Sequence, residues 1–371
     1  MVRPILVLLA AVYGQCAVLT LPDLNAFPGQ ILVGSLSFSS QGQAVSAIQF
    51  DMSGDAALSF GVLPGAQIGA SVKVLYTAAL PTGGLRVLIV GINTGTLADG
   101  ELLRPLVEVS PHATPGTAQL RIGNVVASQP DGTGLMLSPV SSAVQIQAGS
   151  FTQSFVAAGI VNAASLLPGP ISPGEIITIF GGAALSETSA VVFNGISAPI
   201  LYKGPGQVNA VVPFGLDPTK PASLDIRAQE QSLGTASLAA ATVSPALFTQ
   251  SSNGTGPGTI LNQDYTLNSP SNPARAGSVI MIYGTGFGAL NPAATDGQPA
   301  TGEADTQLPV VASVGGIVTD VLYAGAAPGL IEGVVQINIR IPQNLEPTPT
   351  AQVLLTVGSV GAPAGVVVST Q

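Results

Sequence analysis

Charge is scarce in this chain: 10 Lys and Arg and 19 Asp and Glu among 371 residues, against about a quarter of residues in an ordinary domain. The formal charge is −9, and no window provides the positive face that replaces phosphate counterions, which excludes nucleic-acid binding. Trp is absent, and His and Cys occur once each, as His112 and Cys16. The common catalytic and ligand side chains are therefore mostly missing. Beyond the N-terminus no apolar run reaches the roughly 18 residues that a membrane-spanning helix needs, so no transmembrane span is expected in the mature chain.

What is present is an apolar fraction of 46% with 45 Gly and 30 Pro. A disordered chain would combine low hydrophobicity with high charge, and this one has neither. Many turns joining short strands account for the Gly and Pro. Apolar side chains alternate with the strand period of two, as Ile48, Phe50 and Met52 do against Gln49 and Asp51. Leu85, Val87 and Ile89 repeat the pattern around Arg86, and Ile337, Ile339 and Ile341 do so against Gln336, Asn338 and Arg340. Gly, Pro and β-branched residues break almost every helical window; the exception is one turn at Asp99–Arg104. The expected class is all-β, and the length suits about three domains.

At the N-terminus Arg3 precedes the apolar run Ile5–Val12 and the small-residue pattern Val12-Tyr13-Gly14. That is a short signal-peptide layout, 1–14, with Gln15 as the new terminus. Cys16 suggests a lipoprotein, but bulky Gln15 before it argues against lipid attachment. The expected location is extracellular or in the cell envelope.

Three segments follow, at 20–148, 153–245 and 246–371. The last two are related. Pro173–Gly181 corresponds to Ala276–Gly284, Asn194–Tyr202 to Gly315–Tyr323, and Gln207–Pro213 to Gln336–Pro342. Two insertions lengthen the later copy, Thr285–Pro309 and Ala324–Gly333. Changed loops on an unchanged strand order are expected where a packed sandwich tolerates insertions outside its core. Their small, polar residues suit exposed loops more than an enclosed pocket.

The run Gly159-Ile160-Val161-Asn162-Ala163-Ala164-Ser165, the segments Ile171–Gly181, Asn194–Tyr202 and Pro205–Pro213, and the longer form at Leu261–Asp264, Asn268–Ala274 and Val321–Gly329 resemble a C-terminal domain family of acidobacterial secreted proteins. That family is similar to IPT/TIG immunoglobulin-like domains, and the resemblance implies no reaction or catalytic residue. Pro28-Gly29-Gln30, Gly42–Asp51, Leu85–Ile89 with Asn93, Asp99–Leu102, and Ala127-Ser128 with Gly132 are similar to cohesins and related carbohydrate-binding modules. This second resemblance, over residues 28–146, implies a jelly-roll sandwich of about nine strands and adhesion to a protein, such as a dockerin-bearing enzyme, near polysaccharides.

Candidate chemistry is thin. His112 sits among Pro111, Pro115 and Gly116, without the nucleophile and orienting group a general base needs. Asp51 and Asp55 form the one carboxylate pair that suggests glycoside hydrolysis, weighed against a polar strand end. Asp264, Asp296, Glu303 and Asp305 could supply oxygen ligands to calcium, but no calcium-loop motif joins them. Gly284-Thr285-Gly286-Phe287-Gly288 lacks the full phosphate-loop pattern and reads as a strand exit. Phe50 and Phe60 suit core positions, and Tyr76, Tyr265 and Tyr283 form no evident sugar platform. Tyr202 and Tyr323, equivalent in the repeats, suit a structural role. No catalytic residue, cofactor or metal site is therefore predicted. The expected protein is a non-catalytic binding or scaffold protein with 20–148 as its recognition unit. The alternatives are a carbohydrate-binding module, a polysaccharide hydrolase using Asp51 or Asp55, or a passive spacer.

Overall fold

The computed structural model describes residues 16–149, 151 and 153–371, so the expected leader 1–14 lies outside the described residues. The chain is all-β, built as three pairs of packed sheets. Its helical elements, among the described residues, are Ala66–Ala70 and the 3-10 turn Ala183–Glu187.

In the first sandwich one sheet runs Val18–Thr20, Leu36–Ser39, Gly100–Val109, Ile31–Val33, with Leu58–Pro64 also on Gly100–Val109. The other runs Leu24–Ala26, Val140–Ile146, Gly116–Ser128, Ala47–Gly54, Leu85–Val90, Val74–Ala79, with Gly134–Met136 beside Gly116–Ser128. Twelve strands result where about nine were expected, and four of them are three residues long. Phe38, Ile48, Phe50, Met52, Ile89 and Leu120 fill the space between the sheets, as their alternation requires.

The turn expected at Asp99–Arg104 is instead the start of the strand Gly100–Val109. Leu102 to Pro105 are buried without a break because this strand is covered on both sides. Its inner face meets the first core, and the Arg104 guanidinium donates to the Ala158 carbonyl of the second sandwich.

The second and third sandwiches repeat one register. Ile179 pairs with Val208 and Ile282 with Ile337. A bulge falls between Ile200 and Tyr202 and again between Val321 and Tyr323. Tyr202 and Tyr323 each lay the phenol oxygen over a glycine, Gly204 or Gly325, where a side chain would collide. The Tyr323 hydroxyl also donates to the Ala326 carbonyl at 2.6 Å, so these two tyrosines have a structural use.

The insertions differ from expectation. They pack on one another through Leu290, Ala300, Ala304 and Ala326, with Phe214 of the second sandwich alongside. Ala300 N–H donates to the Leu330 carbonyl and Glu332 N–H to the Gln298 carbonyl. Small residues allow this close approach, and the product is a walled cavity, not a pair of separate loops.

The first sandwich touches both of the others. The Asn253 amide donates to the Leu75 carbonyl at 2.8 Å, and Gly69 lies so close to the Ala364 carbonyl that a Cβ would collide with it.

Candidate functional site

Strand register builds a surface on the outer face of the larger sheet in the first sandwich. Val126 pairs with Met136 and with Gln49, Gln49 with Leu88, and Leu88 with Tyr76. Successive side chains alternate between faces, and the inward neighbours Ile48, Val87, Ala127 and Leu75 are buried. The row Met136–Val126–Gln49–Leu88–Tyr76 therefore faces solvent. Met136 is 78% exposed, Val126 46% and Tyr76 52%. Five strands spaced about 4.8 Å apart give the row a width of roughly 19 Å.

A charged row runs beside it. Asp51 pairs across the strands with Arg86 and Gly123. Its Oδ1 accepts from Arg86 Nε at 2.7 Å and its Oδ2 from Arg86 Nη2 at 3.0 Å and Asn124 Nδ2 at 2.9 Å. The Arg86 hydrogen bond holds Asp51 below the usual carboxylate range. Asp55 is placed likewise, 2.8 Å from Arg121 and lowered chiefly by that bond. The two carboxylates singled out for hydrolysis are thus each engaged with a guanidinium. Neither is raised as a proton donor for glycoside cleavage would be. Asp51→Ala is expected to cost about 1–2 kcal/mol in urea unfolding, because Arg86 and Asn124 both lose their acceptor.

The other candidates form no catalytic or metal-holding group among the described residues. His112 is exposed in a turn, where its own N–H donates to Ser110 Oγ at 3.2 Å. Asp264 accepts from Thr266 Oγ1 at 2.6 Å and Asp296 from Phe214 N–H at 2.9 Å. No group of three acids, His or Cys that could hold a metal occurs among the described residues. Gly286 and Gly288, both at positive φ, turn the chain tightly against the Ser244 and Thr242 carbonyls, so this glycine run is a strand exit. Phe50 is in the core as expected, while Phe60 is only half-buried and lines a cleft of about 340 Å³ with Phe180 of the second sandwich.

Besides Arg104, three further buried ionisable groups were not anticipated. Lys73 is 0% exposed and donates to Ser46 Oγ, the Asn93 carbonyl and Asn93 Oδ1. Glu175 is buried where the second and third sandwiches meet. Glu332 lines the cavity between the insertions. Each reads in sequence as an isolated polar residue, and only neighbours distant along the chain cover it. A weak signal existed for Glu175, which abuts the apolar run Ile176-Ile177 where the copy has Ser278.

No family model and no curated protein matches the chain. Among solved structures, it is similar to the sixth cohesin of Acetivibrio cellulolyticus scaffoldin B, solved with a Cel5 dockerin, at 18% identity, 36% of this chain, 100% of that one and TM-score 0.33. A non-cellulosomal cohesin from the archaeon Archaeoglobus fulgidus matches at 15% identity, 36% of this chain, 93% of that one and TM-score 0.32. CaCohA2 from Clostridium acetobutylicum matches at 14% identity, 37% of this chain, 94% of that one and TM-score 0.32. No helix of the described residues is long and apolar enough to cross a membrane.

Proposed function

We propose that the chain is an exported, non-catalytic binding protein that offers the outer face of its first sandwich to a protein partner. The observation that carries this reading is the row Met136–Val126–Gln49–Leu88–Tyr76, a largely apolar strip with an aromatic end on the outer face of the sheet. Contiguous apolar surface with a polar rim is the composition of a recognition face. The rim here is largely neutralised within itself, Asp51 by Arg86 and Asp55 by Arg121. Recognition then depends on shape and apolar contact more than on long-range steering. The proposed folding units are 20–148, with the strand Val18–Thr20 added at its start, 153–245 and 246–371, and residues 1–14 are proposed to direct export.

The partner, after the cohesin resemblance of residues 28–146, is an extracellular protein such as a dockerin-bearing enzyme. A polysaccharide is the second reading, favoured by the exposed Tyr76 ring, which lies opposite Leu88 and diagonal to Arg86 on the neighbouring strand. Calorimetric titration of the mature chain with purified dockerin-bearing enzymes and with soluble glycans tests both. Tyr76→Ala and Leu88→Asp are each expected to weaken the protein complex by about 30-fold or more, as loss of an aromatic or apolar anchor does, with the unfolding midpoint unchanged. The reading fails if the wild-type chain takes up no such enzyme, or if both variants bind it undiminished. Glycan binding lost in Tyr76→Ala would put the polysaccharide in its place.

A further inference from the structure

The cavity between the two insertions holds about 490 Å³ and has a distinct chemistry. Pro292, Pro299 and Ala304 supply apolar walls, Gln298 a neutral amide, and Glu303 and Glu332 carboxyl groups. No Lys, Arg or His lines it. Glu332 is only 8% exposed, and its Oε2, shut off from solvent, has no hydrogen-bond partner. Its backbone is fixed, with the N–H bonded to the Gln298 carbonyl at 2.9 Å and the preceding residue, Ile331, bridged to Pro299. A buried polar atom without a partner is uncommon and costly. Here it belongs to a side chain that borders open volume.

The surroundings add charge of the same sign. Tyr323, on the strand Val321–Ala326, feels Glu303, Asp305 and Glu332 together. Asp296, on the same insertion, is engaged with Phe214 N–H. The titratable groups on this side are therefore Asp296, Glu303, Asp305, Tyr323 and Glu332, all of them acids. Burial pushes Glu332 above the ordinary carboxylate range, as expected for an acid lacking a counter-ion.

We propose that this cavity is a binding site for an organic cation, an ammonium or guanidinium group on an alkyl stem, with Glu332 as its counter-ion. The apolar walls suit the stem and the two carboxyl groups the head. A bare divalent ion fits poorly, since calcium takes about six to eight oxygen ligands and no set of three ligating side chains is placed to hold a metal among the described residues. The volume also far exceeds one ion. A neutral hydroxylated ligand leaves the excess of acids unanswered. This site lies in the third sandwich and is independent of the face proposed above.

The cation can come as a free amine or as a side chain of another protein. Calorimetric titration of the full mature chain with agmatine and with a blocked Gly-Arg-Gly peptide separates the two sources. At least one is expected to bind saturably and at least about twofold more tightly at pH 8 than at pH 4.5, because burial holds Glu332 protonated above its ordinary range and binding draws it into its ionised form with release of a proton. Glu332→Gln is expected to lose the binding, and Glu303→Gln to weaken it. Because the pH dependence is read on the wild-type chain, the test survives a variant that folds poorly. The proposal is overturned if neither cation binds, if affinity is flat with pH, if a folded Glu332→Gln variant binds equally well, or if glucose or calcium binds in preference.

Discussion

Lys73→Ala is expected to cost the first sandwich about 3–5 kcal/mol, the range for breaking a buried charged network and emptying its volume. The ammonium of Lys73 is enclosed, and its Nζ donates to Ser46 Oγ at 3.2 Å, the Asn93 carbonyl at 3.0 Å and Asn93 Oδ1 at 2.8 Å. Three protons thus meet three acceptors. Burial still pushes its pKa below the ordinary lysine range, and those hydrogen bonds offset the desolvation. Asn93 donates in turn to the Val72 carbonyl at 2.7 Å, and Ser46 Oγ to the Gly95 carbonyl at 3.1 Å. One side chain therefore ties the entry of the central strand, the exit of the short helix and the 91–97 loop. Alanine leaves those acceptors short of a donor and creates a cavity. Lys73→Met refills most of the volume without the donors, so its smaller loss, about 1–3 kcal/mol, isolates the polar contribution. Because Lys73 leads directly into Val74–Ala79, the strand that carries Tyr76 and meets Asn253, partner binding should fall as well. Calorimetry of the wild type and both variants checks this, and an alanine variant within 1 kcal/mol of wild type contradicts it.

The sandwich layout was legible because burial in strands follows a local rule. Ile337, Ile339 and Ile341 alternate in sequence and are all buried, and the matched segments of the repeat share one register, including its bulge. What could not be read locally depends on how the units meet. At Asp99–Arg104 the adjacent apolar pair Leu102-Leu103 breaks the strand alternation and suggests a helical turn, yet the cause is a strand covered on both faces, where even Arg104 is buried. The exposed row of the first sandwich was hidden for a related reason. Met136, Val126, Leu88 and Tyr76 come from four strands, and register alone places them side by side. Glu175 and Ser278 hold equivalent positions in the repeat, and the third sandwich covers the first of them. In the third sandwich, Val279 N–H donates to Gln263 Oε1 of the same unit at 3.1 Å. At the joint the equivalent Ile176 N–H donates to Thr285 of the next unit at 2.8 Å.

That joint should respond to pH. Raising the pH from 6 to 9 is expected to weaken it by about 2–3 kcal/mol. Glu175 is almost completely buried. Its Oε1 accepts from Asn162 Nδ2 at 2.9 Å and its Oε2 from Ser172 N–H at 2.8 Å. Asn162 also donates to the Ser244 carbonyl, Ser172 Oγ to the Gly286 carbonyl, and Thr285 Oγ1 to the Gly333 carbonyl. Desolvation outweighs these donors and raises Glu175 from 4.5 to about 8. The folded state therefore holds a proton that the unfolded chain has lost. The stabilisation is complete below about 4.5 and is lost as the pH rises through about 8, where the carboxylate must either charge in a dry site or open the joint. For a cooperative unit of this size the unfolding midpoint should fall by roughly 5–10 °C. Glu175→Gln, which cannot ionise, should flatten that dependence even if it loses a hydrogen bond at every pH. Thr285→Val strands the Ile176 N–H and should lower stability by about 1–3 kcal/mol while keeping the pH slope. Parallel pH curves for the wild type and Glu175→Gln would show that the slope arises elsewhere. A slope confined to the Glu-bearing proteins would make this one carboxyl the group that sets how firmly the repeats hold together.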